Sequence, residues 1–157
     1  MVKIPPLSED YIRIHSRMHN HLPYEEDNLT TILKGHLLIE EIISELVQRV
    51  GTNEKAIKDA RLSFHQYACV AKAIYYEENN EWVWGAILKL NKIRNKLAHN
   101  LEPDGIEDLV EEFIDFCKEN GSGFVKSASE FEFTKLSMAI TDVHHKLWGI
   151  LKITLNK

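Results

Sequence analysis

No acidic residue occurs between Gly85 and Leu101, in a chain whose 24 Asp and Glu otherwise outweigh 19 Lys and Arg to a net charge of −5. Lys89, Lys92, Arg94, Lys96 and His99 fill that gap, so one basic patch sits on an acidic body. Such a patch suits RNA bound at one small site better than tracking along a duplex. Cysteine is scarce as well. Cys69 and Cys117 are too far apart for a disulfide framework or a zinc module, and both fall on apolar faces where core thiols are expected. No apolar run approaches the roughly 18 residues of a membrane helix, and the N-terminus lacks a signal-peptide core, so a cytoplasmic protein without membrane contact is expected. Its 7 glycines nowhere form a P-loop or dinucleotide-type phosphate loop. There is no helix-turn-helix with a basic recognition helix, and no strand-like alternation.

What is present is helical periodicity. Met1 to Leu7, with Pro5-Pro6, reads as an extended arm, and Ser8-Glu9-Asp10 opens a short helix to about Asn20. Its His15 and His19, at i, i+4, could chelate a metal on one face, but no metallopeptidase-type carboxylate follows. Exposed histidines are the plainer account, and no metal is expected. After a linker from Pro23, Ile32, His36, Ile39, Ile43, Leu46 and Val50 mark a long helix ending at Gly51. Asn53-Glu54 opens another to about Tyr76, through Ile57, Ala60, Phe64, Tyr67, Ala68, Ala71 and Ile74. Glu77 to Glu81 connects to a helix holding the acid-free stretch. Asp104 to Asn120 and Thr134 to Leu155 are helical, joined by an irregular Phe124 to Phe133. At 157 residues one domain is the default. The expectation is an all-α protein, a single helical bundle of about six helices over 1–157. An N-terminal arm and short helix take up 1–27, and the bundle proper 28–156.

Ala86, Leu90, Ile93 and Leu97 form the apolar stripe of the acid-free helix. Arg94 falls on its shoulder, where an arginine needs a carboxylate, phosphate or aromatic partner. Glu40, Glu41 and Glu45 on the second helix are solvated surface or the source of that partner. Asn100, then Pro103 and Asp104-Gly105, are stop signals, which places His99 in the last turn. Arg94 and His99 lie about 140° and about 7.5 Å apart on one helix, so they do not share a face. A symmetric dimer with both copies facing a two-fold axis would bring them to one substrate. Trp82 and Trp84, near the helix start, either stack bases or pack the core.

Arg94-Asn95-Lys96-Leu97-Ala98-His99 resembles the signature of the HEPN superfamily: an arginine, four to six positions of which the first is usually polar, then a histidine, late in a bundle helix. The resemblance covers roughly Asn28 to Asn156. It implies an all-α, usually dimeric protein. Many members are metal-independent endoribonucleases, and others are non-catalytic RNA-binding or regulatory proteins. By this resemblance Arg94 and His99 are the catalytic candidates with Asn95 third, Lys92 and Lys96 bind substrate, and no cofactor is needed. RNA, a second copy and an antitoxin or regulatory partner are the implied partners. The layout is also similar to the mannitol-repressor family of helical regulators, the alternative on the same fold. In HEPN toxins paired with a nucleotidyltransferase antitoxin, a tyrosine commonly stands two residues after the histidine. Here it is Leu101, which puts that subgroup and that route of neutralisation in doubt.

The residue types suit phosphodiester cleavage by internal transfer. A base takes the 2′-hydroxyl proton, a cation stabilises the phosphorane, and an acid protonates the leaving 5′-oxygen. Histidine can serve as base or acid near neutrality, and arginine presents a permanently charged fork to phosphate. One motif supplies one histidine, so two copies would complete the acid–base pair. The competing account makes Arg94 the ion-pair partner of a second-helix glutamate. His99 is then a cation at a helix C-terminus, where the macrodipole favours it.

Overall fold

Seven helices make up the computed structural model, which describes residues 8–22, 27–100, 102–128 and 132–155, with backbone alone at 132, 133 and 155. They are α1 (Glu9–His21), α2 (Asn28–Gln48), α3 (Glu54–Asp59), α4 (Phe64–Tyr75), α5 (Glu81–His99), α6 (Ile106–Asn120) and α7 (Glu132–Leu155). Short 3-10 turns at Glu78–Asn80 and Val125–Ser127 precede α5 and α7. The chain is all-α, as its periodicity implies. The expected arm Met1 to Leu7, the linker from Pro23, Leu101 and Asn156 fall outside the described residues.

One expected helix is two. The apolar pattern runs on from Ile57 to Ile74, but Arg61 turns to a positive φ of 49° and ends α3. Ser63 then restarts the chain: its hydroxyl accepts from the Gln66 amide at 3.3 Å while Gln66 returns a bond to the Ser63 amide at 2.8 Å. This reciprocal cap supplies partners for two amides that a helix start would leave unpaired. α3 buries no residue, and Ala60, Val50 and Ile74 are exposed rather than core.

α2 is the centre of the bundle. Its buried face, from Ile32 through Ile39 and Ile43 to Leu46, packs on α4, α5 and α7. Gly35 permits a close approach of α7, because a Cβ there would stand 2.6 Å from Ile140 Cδ1 and 2.9 Å from its Cγ2. Alongside, α1 lies against both α2 and α7, with Ile14, Met18 and, just past its end, Leu22 buried in the core. Its rim is held by Arg13 to Glu45 at 2.9 Å and by Arg17 to Glu41 at 2.5 Å. The C-terminal end of α6 is tied to α7 by Asp142, whose Oδ2 accepts from the Ser122 amide at 2.8 Å.

His15 is half-buried, not exposed as expected. Its ring lies 6.4 Å from that of His144 and 6.1 Å from that of His145, against Tyr11 and Trp148. Burial, and then the neighbouring histidines, hold His144 down to about 4; Glu41 pulls the other way. His15 is lowered by burial and by His145, and its buried Nε2 has no hydrogen-bond partner among the described residues. Arg13 and Arg17 border the same side of His144 together with Glu41 and Glu45, and the arginine–glutamate pairs there leave burial as the dominant cause.

Two predictions follow from this packing. Gly35→Ala destabilises by about 1–3 kcal/mol through overpacking against Ile140. Gly149→Ala, whose Cβ meets nothing within 4 Å, gains a few tenths to about 1 kcal/mol from helix propensity; urea unfolding of both variants checks the opposite signs. For the histidines, a folded pKa below the unfolded 6.5 favours the neutral form, so their contribution is full above pH 6.5. It drains as pH falls from 6.5 toward 4, and for His144 this is on the order of 3 kcal/mol. Urea midpoints at pH 7.5 and 5.0 should therefore converge in a His15→Gln/His144→Asn variant relative to wild type.

Candidate functional site

The motif helix starts from a buried side chain. Asn80 Oδ1 accepts from the Glu77 amide at 3.0 Å and from Trp84 Nε1 at 3.1 Å, while its Nδ2 donates to the Tyr75 carbonyl at 2.9 Å. These bonds fix where α4 stops and α5 begins. Trp84 is buried by them, and Trp82 is half-buried beside Gly85 and Phe116. Both tryptophans thus take the packing role rather than the stacking one. At its other end α5 closes at His99, the last helical residue, with Asn100 extended behind it.

Arg94, Asn95, His99, Lys92 and Lys96 are all exposed. Counting about 100° per residue from Leu90, Arg94 lies near about 40° and Asn91 near about 100°. Lys92, Lys96 and Lys89 fall between about 200° and about 260°, and His99 near about 180°. The basic run therefore divides. Lys89 pairs with Glu112 of α6, and the charge of Lys92 also acts on that carboxylate, which is held below its ordinary range. Lys96 Nζ and Asp108 Oδ2 each lie 3.8 Å from the point where a Cβ on Gly105 would stand. The lysines thus border acidic α6, while Arg94 turns toward α2.

Arg94 Nη1 donates to Asn95 Oδ1 at 3.2 Å. The glutamate partner anticipated on α2 is engaged elsewhere: Glu41 holds Arg17, Glu45 holds Arg13 and Arg49, and Glu40 faces His36. Among the described residues Arg94 has no carboxylate partner. A cleft of about 480 Å³ between α1 and α2 gathers Arg13, Arg17 and Arg49, but each of these is paired with an acid. Arg94, like the exposed Arg61 beyond α3, is a guanidinium without a carboxylate partner among the described residues, and it is the one that stands on the motif helix.

Under Arg94 lies a polar pair, of which the sequence pattern assigns only His36 to an apolar stripe. His36 of α2 is buried, stacked on Phe64 with ring centroids 4.0 Å apart, and its Nε2 meets Asn91 Oδ1 of α5 at 3.2 Å. With that amide orientation Nε2 carries the proton, and Nδ1 faces Glu40 Oε2 at 3.9 Å. Burial lowers the His36 pKa; the Asn91 bond opposes this, and the charge of Arg94 adds to it. The imidazole is neutral at pH 7. A histidine on one apolar stripe and an asparagine one turn before Arg94 were the available signals for this pair.

His99 is not brought to Arg94 within one chain, in line with their expected separation around the helix. The cleft nearest the end of α5, about 500 Å³, is lined by Leu29, Ile32 and Leu97 and by the acids Asp27, Glu102, Asp104 and Glu107. These acids make that cleft unfavourable to phosphate, in contrast to the Arg94 flank. Among the described residues no three His, Cys, Asp or Glu side chains are grouped to hold a metal. No described helix is long and apolar enough to cross a membrane.

No protein-family model, curated protein or solved structure matches the chain. The HEPN resemblance accordingly rests on the motif residues and their place in the bundle.

Removing Asn91 alone strands the buried His36 ring. Asn91→Leu should cost about 1–3 kcal/mol, and His36→Phe in the same chain should restore part of it, a sign reversal read directly from a double-mutant cycle of urea unfolding.

Proposed function

We propose that this protein is a cytoplasmic, metal-independent endoribonuclease of HEPN type that cleaves RNA by 2′-hydroxyl transesterification. The observation that carries the proposal is Arg94: an exposed guanidinium, without a carboxylate partner among the described residues, on a helix that ends at the motif histidine. Arg94 holds the phosphate with Asn95 beside it. His99 moves the proton, and Lys92 and Lys96 steer RNA on the α6 side. The active unit is a symmetric dimer, because one chain offers one motif histidine and sets it about 140° from Arg94. Leu29, Leu33 and Leu37 recur every four residues along α2 and are 46%, 40% and 58% exposed, an apolar stripe suited to a second copy. Ile32 and Leu97 share one cleft, so the stripe begins beside the end of α5. An antitoxin or other regulatory partner would act on the same surface.

The second reading is a non-catalytic helical regulator of mannitol-repressor type. The same apolar stripe serves it as a docking face, and the acids bordering Lys92 and Lys96 favour it by weakening RNA attraction.

Purified wild type, Arg94→Ala and His99→Ala, incubated with mixed RNA in EDTA, separate the two. The nuclease reading expects 2′,3′-cyclic phosphate ends from wild type, with the rate reduced about 10²–10⁴-fold in His99→Ala. Arg94→Ala should lose about 10²–10³-fold. Intact RNA with all three proteins folded transfers the assignment to the regulator, and equal cleavage by all three removes these residues from the site.

A further inference from the structure

Cys69 is exposed on α4, against the expectation of a core thiol, whereas Cys117 is buried with its thiol pKa pushed up by burial and by Asp142. Exposure is unusual for a free cysteine. Its neighbour one turn earlier is His65, also exposed, and Cys69 Sγ lies 3.5 Å from His65 Nε2. The i, i+4 spacing stacks the two side chains on one face of the helix, pointing away from the buried residues Phe64, Tyr67, Ala68 and Ala71.

That distance has a chemical meaning. A tetrahedral cation with a thiolate at about 2.3 Å and an imidazole nitrogen at about 2.0–2.1 Å holds the two donor atoms about 3.5 Å apart. The sulfur and nitrogen already stand at the edge length of such a site, so a cation can enter without moving the backbone. The Ser63–Gln66 cap fixes the first turn that carries His65, which lowers the ordering cost of chelation. α4 carries no Asp or Glu, so hard, oxygen-seeking cations find no donors on this helix.

We propose that His65 and Cys69 form a bidentate surface site for a soft divalent cation of the zinc class, with two protein donors and the remaining positions taken by water. Binding exchanges the thiol proton for the metal: Cys69 enters as thiolate, His65 as neutral imidazole through Nε2, and one proton leaves to solvent. Affinity consequently rises with pH. The site is separate from Arg94 and His99 and plays no part in the proposed RNA chemistry, which proceeds in EDTA.

The test is titration of Co²⁺ into the full chain under a non-thiol reductant at pH 7.5. The expected result is a near-ultraviolet sulfur-to-cobalt charge-transfer band that saturates at one metal per chain. Zn²⁺ should displace it, Cys69→Ser should abolish it, and in His65→Ala the affinity should fall on the order of tenfold or more as chelation is lost. His99→Ala should leave it unchanged. Absence of the band, its survival in Cys69→Ser, equal affinity in His65→Ala, or half a metal per chain would each overturn the proposal. Both variants alter exposed side chains, and circular dichroism verifies that they remain folded.

Discussion

The contact between α2 and α7 at Gly35 governs the rest of the molecule. A missing side chain there lets Ile140 sit directly on the α2 backbone, and that depth sets how far the other helices close around α2. With α2 fixed, one flank receives α1 through two arginine–glutamate pairs, and the other presents His36 to α5. The α5 flank carries Arg94 and the residues of the proposed site. Because the His36 ring is buried under Phe64 and tied to Asn91, α5 cannot rotate without breaking a part-buried polar bond. The direction of Arg94 is thereby set by core packing rather than by an ion pair.

Charge is arranged with the same economy. Arg13, Arg17 and Arg49 are covered by carboxylates on α1 and α2, and Lys89 is covered by Glu112 on α6. Surface pairs of this kind add little stability each. Their larger effect is on potential: cancelling these four cations leaves Arg94, like Arg61, a local positive point on a net negative body. A ligand with a single phosphate group to place would sense that point, while a long polyanion would also meet Asp108, Glu112 and the acids near Leu97.

Much of the fold was legible in the sequence because helical periodicity is a local signal. The end of α5 at His99, the span of α6 and the buried stripe of α2 all follow from apolar spacing and stop residues. The break between α3 and α4 was hidden because Ile57, Phe64 and Ala68 continue one stripe, and the Ser63–Gln66 cap that interrupts them is brief. At the candidate site the separation of Arg94 from His99 could be counted along one helix. What counting could not provide was the neighbour across each face. Lys92 and Lys96 read as a basic patch until acidic α6 is laid beside them, and His36 reads as one more core position until Asn91 meets it. Cys69 misled for a related reason: it falls on the far side of the residues that α4 buries, an assignment that depends on where α2 and α5 pack.

α3 deserves a last consideration for what it is not attached to. It is six residues long, buries none of them, and ends at a strained Arg61 just before an independent cap restarts the chain. The hydrogen bonds that begin α4 are complete without it. The bundle is thus divided topologically at this point into an α1–α2 half and an α4–α7 half, joined by a segment that touches the core only through the half-buried Ile57 and Leu62. A lineage of such proteins could lengthen, shorten or replace that segment, or accept a whole inserted domain there, without altering how α5 is held.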